Sequence, residues 1–176
     1  MRRTLAAVIT TVAAAAMISG TSLAAASARL ASPASPASPA SPAHSGIEHF
    51  QAMSTSATAR PGSLIATGVF TAGGIDIVKG SKTDKFQFPG GSFTVIHHAV
   101  HTKQALNKKT CLFTLSQRGT YKLSRGTGGY ARISGSGKYV LHILAISARL
   151  SSGRCTFMLL PRTWQQVITA QGPVRL

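Results

Sequence analysis

Three histidines stand close together in His97-His98-Ala99-Val100-His101, where they could bind a metal or transfer protons. Side chains alternate between the two faces of a strand, so His97 and His101 share a face. They lie about 13 Å apart at a rise of roughly 3.3 Å per residue. One metal ion cannot bind both unless the strand bends, and we predict no metal site. His97 and His142, on another predicted strand, are the best candidates for polar groups in a ligand pocket; otherwise they line the barrel or its rim.

Carboxylates are scarce, because Glu48, Asp76 and Asp84 are the only acidic residues of the chain. General acid–base catalysis usually needs positioned acids and bases. Asp76 and Asp84 lie in a turn-rich stretch among several lysines, and we expect both to be solvated. We therefore assign no catalytic residue and favour a protein that is not an enzyme.

The common catalytic and nucleotide-binding motifs are also missing. The chain has no G-x-S-x-G and no H-E-x-x-H. Gly126-Thr127-Gly128 lacks the third glycine of a dinucleotide-binding loop, and Gly137-Lys138 is followed by Tyr139 where a phosphate-binding loop needs Ser or Thr. No cofactor is expected. A Ser-His-Asp triad stays open, but no motif points to one.

The chain is strongly basic, with 19 Lys and Arg and a formal net charge of +16. Such a charge attracts polyanions, which outside a cell include anionic cell-wall polymers and lipids. The alternative is a scattered, solvated surface that keeps the protein soluble. Stacking aromatic residues of the kind that bind single-stranded nucleic acid are not evident, so we do not expect a nucleic-acid partner.

The first 28 residues have the features of a secretory signal peptide. Met1-Arg2-Arg3 is basic, the segment from Leu5 to about Ala26 is uncharged and mostly apolar, and Ala26-Ser27-Ala28 is an A-x-A cleavage site. We predict cleavage after Ala28 and a secreted protein. An uncleaved membrane anchor is the alternative, since a spanning helix needs roughly 20 apolar residues. No Cys stands at the cleavage site for a lipoprotein anchor.

Residues 29–60 are predicted to form a disordered linker. Ala-Ser-Pro repeats from Ala31-Ser32-Pro33 to Ala40-Ser41-Pro42, and proline at every third position favours an extended polyproline II segment. His44, Glu48 and His49 lie in this linker and are expected to be solvated.

Residues 61–176 have the period-two hydrophobicity of β-strands. About eight strands follow one another, separated by turns such as Pro89-Gly90-Gly91. A long strand from Lys138 to Leu150 has apolar residues on both faces, and strands over 154–160 and 163–170 complete the set. We predict an all-β fold, a single antiparallel eight-stranded β-barrel, because closure removes exposed strand edges.

Cys111 and Cys155 are the only cysteines. An even number of cysteines in an exported chain favours one disulfide bond. Closing a loop of roughly 45 residues stabilises a fold by about 4 kcal/mol in the chain-entropy model. We predict a Cys111–Cys155 disulfide.

The run from Arg125 to Tyr139, RGTGGYARISGSGKY, resembles the Gly-rich turn-and-strand signature of allene oxide cyclase and dirigent-like barrels. The domain from Leu64 to Leu176 is also similar to a group of secreted actinobacterial proteins. The resemblance implies an eight-stranded antiparallel barrel that can hold a small apolar ligand, an inward Tyr130, and assembly into dimers or trimers. Dirigent-like proteins use acidic residues in the cavity, and this domain offers only Asp76 and Asp84.

Two functions follow as hypotheses. The first is a secreted, non-enzymatic barrel that binds a small hydrophobic ligand inside or an anionic cell-wall polymer or lipid outside. A homo-oligomer is compatible with either partner. The second is an isomerase or cyclase that uses His97, His142 or Tyr130 around an apolar cavity. Two or more convergent polar groups in the cavity favour the second hypothesis, and a solidly packed interior removes it.

Overall fold

The computed structural model describes residues 44–58 and 61–176. The predicted signal peptide, its cleavage after Ala28 and most of the predicted linker therefore lie outside the described residues. None of the described residues forms a helix that could span a membrane.

The described part of the chain is all β, as predicted. Eight strands form one closed antiparallel barrel in the spatial order β1-β10-β7-β6-β5-β4-β3-β2, and β8 and β9 form a separate pair. The strands are β1 Ser45–Ser54, β2 Gly62–Thr67, β3 Ala72–Gly80, β4 Thr83–Phe88, β5 Gly91–Asn107, β6 Leu112–Gly128, β7 Ser134–Ile146, β8 Ala148–Arg149, β9 Cys155–Thr156 and β10 Thr163–Arg175.

Strand β1 corrects the predicted end of the linker. It lies between β10 and β2 and closes the barrel, although residues 45–54 were assigned to the linker on sequence. Phe50 and Ala52 face the core, with Glu48 on the same face. The alternation that identifies a strand is hidden here. Glu48 places a carboxylate at an inward position, and the apolar residues Ile47 and Met53 stand at exposed positions.

One end of the barrel, here called the aromatic end, is closed by packed rings. Phe50, Phe70, Phe88, Phe93 and Tyr130 form this cluster, with neighbouring ring centroids 5.1 to 6.3 Å apart. Such rings contribute through buried area and through tilted and edge-on contacts. No ligand can pass through this end without displacing them.

The Gly-rich run forms the turn between β6 and β7 at the aromatic end. Gly128 has φ 58°, in the left-handed region that favours glycine. A Cβ on Gly126 would collide with the carbonyl oxygen of Tyr130. The two glycines thus let the chain fold back closely enough for Tyr130 to cap the core.

The opposite end, here called the mouth, is built by unequal strands. β5 and β6 have 17 residues each and β7 and β10 have 13, whereas β2 and β4 have only six. The long strands extend past the closed wall, and residues 147–162 fold against this extension.

The predicted disulfide is confirmed: Cys111, in the β5–β6 turn, is bonded to Cys155 of β9. The predicted strand over 154–160 is wrong beyond its start. Only Cys155–Thr156 form a strand, and they pair with β8 alone. The apolar residues 157–160 have no neighbouring strand to bond with, so they form an exposed loop.

Candidate ligand site at the barrel mouth

All three acidic residues of this basic chain face the barrel interior. Glu48 is 0%, Asp76 4% and Asp84 8% exposed. The expectation that they are solvated is therefore wrong. The reason is register: Phe86 of β4 faces the core, and its partner on β3 is Asp76, so both side chains point inward. Ile75 consequently faces solvent.

Asp84 and His97 form a pair just inside the mouth. Asp84 Oδ2 lies 3.3 Å from His97 Nε2, on the adjacent strands β4 and β5. The His97 ring meets that of Tyr139 edge-on, with centroids 5.8 Å apart. The predicted role of His97 as a polar group in a pocket thus fits its place in the fold.

Asp76 lies next to this pair, and one of its two carboxylate oxygens is buried without a hydrogen-bond donor from the described residues. Burial is the main cause that raises its pKa from 3.8 to about 7; the negative charge of Asp84 also raises it, and His97 lowers it. Asp76 Oδ1 has no hydrogen-bond donor among the described residues. Asp76 can therefore hold or release a proton near neutral pH.

Two tyrosines complete the inner polar surface. Tyr139 donates a hydrogen bond from its hydroxyl to Gln117 Oε1 over 2.8 Å. The Tyr121 hydroxyl is buried with no partner in the described part of the chain, and burial raises its pKa to about 12. Tyr121 is thus a neutral hydrogen-bonding group directed into the interior.

Three spaces border these groups or the rim of the mouth, and the second and third of them share lining residues. A cavity of about 60 Å³ lies among Asp84, His97, Tyr121 and Tyr139, with apolar side chains around them. A second space of about 220 Å³ is lined by Asp76, Trp164 and Gln166. A third, a largely apolar groove of about 580 Å³, shares Trp164 with the second and is otherwise lined mainly by residues 157–161, with one residue each from β5, β6 and β7.

The remaining sequence candidates lie elsewhere. His142 is exposed on β7 between the inward-facing Leu141 and Ile143, so it faces solvent outside the barrel. Tyr130 lies in the β6–β7 turn and is buried in the aromatic end, which is opposite the mouth. Of the three predicted ligand-binding residues, the fold brings only His97 to the mouth.

A bulge corrects the predicted shared face of His97 and His101. The β5–β6 register shifts between Ala99 and His101, which moves the alternation by one residue. Thr102 then lies on the inner face, where it accepts a hydrogen bond from Gln117 Nε2 at 3.1 Å. His101 is exposed.

Glu48 lies at the aromatic end, although its charge also contributes to the raised pKa of Tyr121. The Phe70 backbone N–H donates to Glu48 Oε2 over 3.1 Å, while burial raises the pKa of this carboxyl group. Glu48 Oε1, like Asp76 Oδ1, has no hydrogen-bond donor among the described residues, but Glu48 lines none of the three spaces and is therefore a useful control for the two aspartates.

Another concave surface, of about 620 Å³, lies on the outer wall and is lined mainly by outward residues of β1, β2, β7 and β10. It contains none of the carboxylates. Within residues 44–58 and 61–176, no group of three or more His, Cys, Asp or Glu side chains is arranged to hold a metal ion. Comparison of the chain with protein-family models, curated proteins and solved structures found no match.

Proposed function

We propose that this protein binds a small, largely apolar ligand that carries one basic group, with the basic group at Asp76 in the barrel mouth. The observation that carries the proposal is the surplus of buried carboxylate: Asp76 and Asp84 face a single imidazole, that of His97. These are two of only three acidic residues in a chain of net charge +16.

The charge balance of the cluster favours a cation. His97 can compensate at most one carboxylate, and a second buried negative charge is costly unless it is paired. A proton neutralises Asp76 in the empty site, consistent with its pKa of about 7. A ligand ammonium group would replace that proton and would use the unpartnered Oδ1 atom.

The apolar part of the ligand fits the groove outside this cluster. Ligand pockets typically enclose about 300–1,000 Å³ and are lined mostly by apolar and aromatic side chains. The groove has about 580 Å³ and contains Phe113, Phe157 and Trp164. Trp164 borders both the groove and the Asp76 space, so one ligand could occupy the two together.

Three probes with one alkyl tail test the head group: n-octylamine, n-octanol and octanoate. Trp164 is the single tryptophan of the chain, so its fluorescence reports on binding at the mouth. We expect octylamine to bind at least about tenfold more tightly than octanol, the size of a charge-assisted hydrogen bond of about 1.5–3 kcal/mol. Asp76→Asn should abolish this preference.

Glu48→Gln is the matched control, because it removes a buried carboxylate at the aromatic end and should leave the preference intact. Equal binding of the three probes, tightest binding of octanoate, or an amine preference that survives Asp76→Asn would each refute the proposal. Binding of octylamine should also release a proton near pH 7, which titration calorimetry in buffers of different ionisation enthalpy measures.

A second candidate function is proton-transfer catalysis, the isomerase or cyclase role implied by the resemblance to allene oxide cyclase and dirigent-like barrels. The raised pKa of Asp76, about 7, favours it, because a general acid or base works best near the ambient pH. Asp76, Asp84 and His97 would act, since His142 and Tyr130 lie away from the cavity. Deuterium exchange from D₂O into the α-carbons of 2-decanone tests it. Exchange no faster with protein than with Asp76→Asn would remove this candidate.

Secretion, cleavage after Ala28 and self-association stay predictions. The disulfide supports an oxidising compartment. Native mass spectrometry of protein from the medium of a secreting host measures the mature N-terminus, the assembly state and any retained ligand in one spectrum.

A further inference from the structure

We propose that the loop Phe157–Leu160, here called the apolar loop, docks the barrel onto the surface of an anionic phospholipid bilayer. This proposal concerns the exposed rim of the mouth and not the acidic cluster, although the apolar loop also lines the groove assigned above to the apolar part of the ligand.

The apolar loop is far more exposed than its composition warrants. Phe157 is 58%, Met158 94%, Leu159 53% and Leu160 68% exposed. Single exposed apolar residues are ordinary on protein surfaces, but a contiguous patch marks an interaction site. The apolar loop, with four consecutive large apolar residues between β9 and β10, forms such a patch.

The loop is held in this exposed position by its surroundings. Cys155 is tied to Cys111, and buried Thr156 accepts a hydrogen bond at Oγ1 from the Met158 backbone N–H over 3.1 Å. The Phe157 ring meets that of Phe113 edge-on, with centroids 5.1 Å apart. The loop therefore presents Met158 and Leu159 without having to be ordered on binding.

Positive charge surrounds the loop. Arg154 and Arg162 flank it in sequence, and the disulfide brings in the β5–β6 turn with Lys108 and Lys109. Cys155 Sγ lies 3.4 Å from the Lys108 carbonyl oxygen, and Arg149 donates a hydrogen bond to the Lys109 carbonyl oxygen. The chain has no acidic residue after Asp84, so the segments that carry these five cations hold no carboxylate side chain, and Asp76 and Asp84 of the mouth are buried inside it.

An apolar tip with several cations beside it matches an anionic bilayer. The tip can enter the boundary between headgroups and acyl chains, and each Lys or Arg near the surface contributes about 1 kcal/mol. A second copy of this chain fits the apolar loop poorly, because its own Lys and Arg residues would face the same positive charges and repel them. His44, just before β1, accepts a hydrogen bond from the Leu176 backbone N–H at the aromatic end, which is opposite the apolar loop.

Vesicles of equal parts phosphatidylglycerol and phosphatidylcholine test the proposal, with pure phosphatidylcholine vesicles as the reference. Brominated acyl chains in these vesicles quench tryptophan, and Trp164 lies four residues after Leu160. We expect quenching with the anionic vesicles and at least about tenfold weaker binding to the neutral ones. Protein expressed from the full chain serves for every variant.

Two pairs of variants separate the apolar and the charged contributions. Met158→Ser with Leu159→Ser should weaken binding at least about tenfold, because burying one leucine side chain is worth roughly 1.5–3 kcal/mol. Ile65→Ser with Val100→Ser, at exposed apolar positions of the barrel wall, should leave binding unchanged.

Arg154→Gln with Arg162→Gln should weaken binding by about 25-fold, from roughly 1 kcal/mol per charge. Arg125→Gln with Arg132→Gln removes the same charge near the aromatic end and should have a much smaller effect. Equal losses from the two arginine pairs would show general charge attraction and overturn the proposal. So would unchanged binding of the serine loop variant, or a dimer in sedimentation velocity that this variant converts to monomer.

Discussion

Replacing Asp76 by asparagine should remove a large pH dependence of the free energy of unfolding. Asp76 is 4% exposed, and its pKa rises from 3.8 to about 7 on folding, chiefly through burial. Between these values the native state holds a proton that the unfolded chain has released. The free energy of unfolding therefore falls as pH rises from about 4 to 7, and stays at its lower value above pH 7.

The magnitude follows from the size of the shift. One pKa unit corresponds to 1.36 kcal/mol, so the rise to about 7 costs the ionised native protein roughly 4 kcal/mol above pH 7. About 3 kcal/mol of this loss falls between pH 5 and pH 8. The whole stability of a domain is typically 5–15 kcal/mol, which makes the loss readily measurable.

Urea unfolding of both proteins at several pH values between 5 and 8, without reductant, measures the effect. The difference in unfolding free energy between Asp76→Asn and the parent should grow by about 3 kcal/mol in favour of the variant over this range. Other titrating groups largely cancel in the difference. The asparagine amide can add a constant offset, so the slope with pH is the quantity that decides.

Parallel pH profiles for the two proteins would refute the reasoning, since Asp76 would then titrate alike in the folded and unfolded chain. Asp84→Asn provides a second check. It removes the neighbouring charge that raises the pKa of Asp76, so the loss of stability with pH should shrink but persist, because burial remains the larger cause.

Three further variants and one control test the fold. Cys111→Ser with Cys155→Ser should lower the free energy of unfolding by about 4 kcal/mol, measured by urea unfolding under non-reducing conditions. Phe93→Ala should cost about 3–5 kcal/mol by opening a cavity in the aromatic cluster, whereas the exposed His142→Ala should stay within about 0.5 kcal/mol. Gly126→Ala should lower the thermal midpoint, at a cost of about 1–3 kcal/mol, because its Cβ would collide with Tyr130. An unchanged midpoint would contradict the close approach of these two residues.

The fold class could be predicted because it rests on local patterns. Phe86 and Phe88 alternate with polar residues, as do Phe93 and Val95, and such pairs give a strand one apolar face whatever its neighbours are. The disulfide could be predicted because the chain has only one pair of cysteines. Strand β1 was missed because Glu48 breaks its inward face and Ile47 and Met53 lie outside.

The candidate site could be predicted only in part. His97 shares a strand face with Phe93 and Val95, and this local signal placed it inside. Asp76 gave the opposite signal, since it stands between Ile75 and Ile77 and looks like the polar face of a strand. Its partner Phe86, ten residues away, shows which face is inside, and pairing the two strands in sequence is the only signal that could have found it.

Taken alone, the amino-acid sequence determined most of the barrel strands, the pair of cysteines, the basic charge and the scarcity of acidic residues. Only the tertiary structure decided that all three acidic residues face inward and that Phe157–Leu160 stay exposed. The physical reason is that alternation defines two faces of a strand but not which one is buried. Neighbouring strands make that choice through register and bulges, and a segment without a neighbouring strand, such as the apolar loop, has no buried face at all.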